Sequence, residues 1–162
     1  MLRDRFGFNI GWHSGAEDHM RTLMTWIAVT FAVASVAFAQ EFGPTRLSPA
    51  DLDWGETPGE VTFIDIAGDN ETPGLYAYRV RFPDGFRNEA HFHPDDRLVT
   101  VMSGTLYMGY GNEFDEDALR ALPAGSVWTE PANQTHFVWA QNGEVIIQVV
   151  GVGPSGTTQF ER

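Results

Sequence analysis

The sequence predicts an all-β sandwich or barrel on three observations. Its apolar runs are short and rich in Val, Ile, Tyr and Phe, Gly or Pro turns separate them, and only one stretch of any length reads as helix. Taken in order, the runs are residues 61–66, 75–82, 86–93, 98–102, 105–110, 126–129, 136–140 and 145–152. Tight bends are expected at Pro83-Asp84-Gly85, Ser103-Gly104, Pro123-Ala124-Gly125 and Asn142-Gly143. The helix candidate is residues 112–120, with Glu113, Asp115, Glu116 and Asp117 near its start and Arg120 in its last turn, a charge order that suits the helix dipole. Residues 48–52 (Ser-Pro-Ala-Asp-Leu) suggest one further helical turn ahead of Trp54.

Composition narrows what this fold can do. The 162 residues carry 10 basic and 22 acidic side chains, a formal charge of -12, and every basic residue is Arg. So acidic a surface does not suit nucleic acid or an anionic membrane. There is no Cys, which excludes disulfides, thiolate zinc sites, iron-sulfur clusters and thiol nucleophiles. Any metal must be held by His and carboxylates.

The first 39 residues read as an extension and a signal peptide rather than as part of the barrel. An uncharged stretch follows Arg21, its apolar centre spans residues 23–38, and Ala37-Phe38-Ala39 offers a small-x-small cleavage site. Translation from Met20 and cleavage after Ala39 would leave a single domain of residues 40–162, periplasmic or secreted, with no stable membrane insertion. An N-terminal anchor helix is the alternative. Either way His13 and His19 fall outside the domain, which keeps three histidines: His91, His93 and His136.

His91 and His93 stand two apart in a strand pattern, so their side chains share a face with roughly 6.5 Å of rise between them. His136 lies in a second run with its own upstream turn. The segment Gly85-x5-His91-x-His93-x3-Arg97-x6-Gly104 resembles the first cupin motif, G-x5-H-x-H-x3-E-x6-G, at every fixed position but the Glu. The segment Gly125-x5-Pro131-x-Asn133-x2-His136-x3-Ala140 resembles the second motif, with Asn133 for Gly and Ala140 for Asn. Small exported single-domain cupins are similar in three further places: His91-Phe92-His93-Pro94, Thr100-Val101-Met102-Ser103-Gly104 and Val152-Gly153-Pro154.

This resemblance implies a cupin-type jelly-roll β-barrel holding a divalent metal ion (Fe, Zn, Mn or Ni) on His91, His93 and His136. It does not imply one reaction. Arg97 stands where the family has its carboxylate ligand, and a guanidinium has no lone pair to give. Arg97 is therefore expected to orient an anionic group of a ligand. Glu89 shares strand parity with His91 and His93 and is the expected fourth ligand, base or supporting carboxylate, with Arg87 on the same face as its counter-charge or as an anion binder. Asp95 and Asp96 are expected to hold Arg97 or the loop. Trp128, Tyr107 and Phe92 would serve as lid, core layer or homodimer face.

Two functions fit these expectations. One is an exported metal-binding cupin acting on a small organic molecule, with oxygenase chemistry if the ion is iron. The other is a non-catalytic barrel that senses or carries a small ligand, a reading that the missing Glu favours.

Overall fold

The computed structural model describes residues 43–55 and 57–161. The signal peptide, its cleavage point and the alternative anchor fall outside the described residues. Among the described residues, ten strands form two five-stranded antiparallel sheets. They are β1 (Thr62–Ala67), β2 (Gly74–Phe82), β3 (Arg87–Phe92), β4 (Arg97–Ser103), β5 (Thr105–Tyr110), β6 (Arg120–Pro123), β7 (Val127–Glu130), β8 (His136–Trp139), β9 (Val145–Gly153) and β10 (Thr158–Gln159). The strand order is β1-β2-β9-β4-β7 in one sheet and β10-β3-β8-β5-β6 in the other.

Eight strands follow the apolar runs of the sequence, because alternation lets one face of each bury against the opposite sheet while the other stays wet. In β4, for example, Arg97, Val99 and Val101 are buried while Leu98 is half exposed. The two strands without a run in the sequence analysis, β6 and β10, are the outermost strand of the second sheet on either side. Edge strands bury little, so their pattern is weak; β10 has no buried residue. The core between the sheets is built from Tyr76, Val80, Val99, Val101, Leu106, Val145, Val149 and their neighbours.

The expected helix over residues 112–120 is corrected to a single 3-10 turn, Glu116–Ala118, capped by the Asp115 side chain on the Asp117 N–H. Arg120 instead opens β6, where Met108 of β5 pairs with it. A stretch with four carboxylates and little apolar periodicity has no face to bury, and without tertiary packing a helix this short does not persist. The turn expected at residues 48–52 is a 3-10 turn, Pro49–Asp51, with a capping box between Ser48 and Asp51. Among the described residues no helix is long and apolar enough to cross a membrane.

Candidate metal centre

The second sheet carries the three histidines on adjacent strands. His91 on β3 pairs directly with His136 on β8, and His93 follows one residue beyond the end of β3. All three are at most 5% exposed. Their ring centroids lie 4.3 to 5.2 Å apart, and one ligand atom from each falls within 4.8 Å of the others.

Their orientation is set by backbone carbonyls. The Nδ1 of His91 lies 2.7 Å from the Glu89 carbonyl, that of His93 2.7 Å from the Gly156 carbonyl, and that of His136 3.2 Å from the Gln134 carbonyl. A carbonyl only accepts, so each Nδ1 carries a proton and donates, which leaves Nε2 as the ring atom that can bind a metal. Burial pushes His91 and His93 down to about 4, and the neighbouring charges of His136 and Arg97 respectively press the same way. His91 and His93 are thus neutral at ordinary pH, the protonation state that binds metal. The His136 Nε2 is buried, and three ring nitrogens this close together fit a cation placed among them.

A carboxylate that the sequence analysis did not single out completes the group. Glu130, at the end of β7, is 5% exposed, with Oε1 3.2 Å from His136 Nε2 and Oε2 3.5 Å from His93 Nε2. The Trp128 indole N–H donates to the same Oε1 at 3.2 Å. Burial alone would raise this carboxyl, but His136, His93 and Arg97 together outweigh it and hold it near 2. The signal was present in sequence: Trp128 and Glu130 share parity in a four-residue strand whose inward positions are these two.

The structure corrects the expectation for Glu89. It lies at the surface, paired with Arg87 at 2.7 Å, both side chains well exposed. The cause is a β-bulge: the β3–β8 register slips by one between Asn88 and His91, so parity with the histidines reverses upstream of the slip. Asn88 takes the inward place instead, its amide 3.3 Å from His91 Nε2. Arg87 packs over the Phe114 ring, 3.5 Å from its centroid, and binds nothing in the barrel.

Arg97 does point inward, and is 5% exposed. Its Nε lies 3.4 Å from Asp95 Oδ1, its NH2 group donates to Ser155 Oγ and, at 3.2 Å, to the Gly156 carbonyl, and NH1 faces Glu130 at 3.7 Å. Asp95 in turn accepts from Tyr76 at 2.5 Å and Ser155 at 2.6 Å. Burial, then the bond to Asp95, pushes the Tyr76 phenol up to about 12, so it stays a donor. Gly151 makes room for this network, since a Cβ there would collide with Tyr76 and Asp95. The expected holding of Arg97 by Asp95 is what the structure shows. Asp96 instead accepts from the Ala132 N–H at 2.8 Å and so ties the β3–β4 turn to the β7–β8 turn.

A cavity of about 120 Å³ opens on this cluster. Asn88, Arg97 and Glu130 line its polar end, and Val80, Phe82 and Trp128 its apolar remainder. Trp128 is therefore a core and cavity residue, whereas Tyr107 is bonded by Asn142 at the surface and Phe92 pairs with Thr158 of β10.

No family model and no curated protein matches the chain. Solved structures do. KdgF from Halomonas sp. superposes with a TM-score of 0.53 at 20% identity, over 68% of this chain and 96% of that one. A cupin 2 conserved barrel domain protein from Leptotrichia buccalis gives 0.51 at 21% identity, over 61% of this chain and 44% of that one. A salicylate 1,2-dioxygenase variant from Pseudoaminobacter salicylatoxidans in complex with gentisate gives 0.52 at 15%, over 65% of this chain and 30% of that one. The chain thus spans less than half the length of the latter two. Two antiparallel sheets closing over inward histidines, superposing on these barrels, give the chain the cupin fold.

Proposed function

We propose that the protein binds one divalent metal ion through His91, His93 and His136 and uses it on a small organic molecule held in the barrel. One observation carries this reading: in a buried site, one ring nitrogen from each of three histidines converges within 4.8 Å, each ring being fixed by a backbone carbonyl at its Nδ1. When bound, the ion supplies a Lewis acid with open positions, and iron would add oxygen chemistry of the kind named for the dioxygenase that shares the fold.

The chain's own residues define the rest. The Asn88 amide stands beside His91 and can donate to a polar group of the ligand. Val80, Phe82 and Trp128 exclude water and accept an apolar portion. A volume near 120 Å³ lies below the ~300–1,000 Å³ of pockets for drug-sized ligands, so the occupant is small. Arg97 serves as the cation that balances Asp95 and Glu130 beside the cavity, and only through NH1 would it reach an anionic ligand group. The non-catalytic reading drew its support from the absent carboxylate at residue 97, and Glu130 directly across on the same rung weakens that support.

The test is metal content and turnover. Wild-type protein purified from its own cells should carry one equivalent of a transition metal, and single His91→Ala, His93→Ala and His136→Ala variants should fold but lose it. Oxygen consumption by the iron form with a panel of small carboxylates and phenols supports the enzyme; ligand uptake without turnover supports the binding barrel. Variants that all keep wild-type metal content would refute the site. We further infer export, on the apolar residues 23–38 and the Ala37-Phe38-Ala39 site. A periplasmic form beginning at Gln40 by mass spectrometry is the expected result, and an intact membrane-bound chain the contrary one.

A further inference from the structure

We infer that Glu130 is the fourth protein ligand of the metal centre, in place of the carboxylate that the cupin motif carries where this chain has Arg97. This rests on the three-histidine reading proposed above and adds a residue to it. Arg97 on β4 and Glu130 on β7 are direct cross-strand partners, and both side chains point into the barrel. Glu130 therefore presents a carboxylate from the adjacent strand at the same level of the barrel as residue 97.

Two further observations favour ligation over simple pairing with Arg97. First, Glu130 lies nearer the imidazoles than the guanidinium: 3.2 and 3.5 Å to His136 and His93 Nε2, against 3.7 Å to Arg97 NH1. Second, those spacings match two donors on one ion, since bonds of ~2.0–2.1 Å in tetrahedral geometry place neighbouring ligand atoms roughly 3.3 Å apart. The Trp128 N–H on Oε1 then plays the orienting part that outer partners play at metal sites.

Charge fits as well. Three neutral imidazoles with one carboxylate leave a divalent ion at +1, while Arg97 and Asp95 balance each other beside it. Arg97→Glu, which on the motif alone would restore the missing ligand, would here place a third carboxylate beside Glu130 and Asp95 and remove their shared cation.

The deciding experiment titrates metal-free protein with Zn²⁺ and with Co²⁺, following affinity and the visible Co²⁺ spectrum, in wild type, Glu130→Gln, Glu130→Asp and His136→Ala. Circular dichroism checks folding in each. If Glu130 ligates, Glu130→Gln should lose more than the ~10–100-fold that loss of an outer partner costs, and its Co²⁺ bands should move. Glu130→Asp keeps the charge opposite Arg97 but draws the oxygens back by one methylene, so it too should weaken binding and alter the spectrum. Wild-type affinity and spectrum in a folded Glu130→Gln or Glu130→Asp, with binding still lost in His136→Ala, would overturn the assignment of Glu130 and leave the three-histidine site standing. Absence of Zn²⁺ and Co²⁺ binding in wild type would remove both.

Discussion

The two ends of the barrel interior are built from different materials. At one end Val99, Val101, Leu106 and Val145 are each at most 1% exposed and belong to the apolar core cluster. At the other end, Tyr76, Asp95, Arg97, Glu130 and the three histidines are also buried but held by directional bonds and paired charge. The apolar end needs no partner beyond shape, so its contribution is stability. The polar end is costly unless every charge is matched, which fixes where each donor atom points. The contrast separates what keeps the barrel folded from what makes it a site.

The largest effect should come from breaking the match at the polar end. Arg97→Met strands Asp95 and Glu130 as buried carboxylates and should cost ~3–5 kcal/mol in denaturant unfolding of metal-free protein. Metal should restore part of that loss by neutralising Glu130. At the apolar end, Leu106→Ala should cost ~2–5 kcal/mol by leaving a cavity, yet the folded fraction should bind Zn²⁺ with unchanged affinity. An equal loss of affinity would show that the two ends are coupled.

Acid should act on the polar end alone. The folded pKa of His91 and His93 is depressed from 6.5 to about 4, so the unfolded chain binds more protons between these values. Stability of metal-free protein should fall as pH drops from 6.5 towards 4. These two groups should add no further loss below that. Glu130, held near 2, takes over with the same sign as pH falls below its ordinary 4.5. Melting temperatures across this range check the sign, and a metal-free protein that melts higher at pH 5 than at pH 7 would contradict it. Smallest of all, Glu89→Gln should change stability by no more than ~0.5 kcal/mol and leave Zn²⁺ affinity alone, because the Arg87–Glu89 pair is exposed.

Much of this was legible without coordinates, since strand alternation and turn chemistry are local. They mark eight of ten strands, and motif spacing brings His91, His93 and His136 together, because two residues apart on a strand is one face whatever lies around it. What the sequence could not decide was how strands register against each other. A one-residue bulge, set by pairing of β3 with β8, turned Glu89 outward and Asn88 inward. The partnership of Arg97 with Glu130 joins residues 33 apart in the chain, and only the β4–β7 ladder puts them on one rung. The bonds from Gly156 to His93 and from Ser155 to Asp95 likewise depend on where the chain returns after β9. Local chemistry thus determined the fold class and the three nitrogen donors, while cross-strand register, a property of the assembled sheets, decided which carboxylate stands beside them.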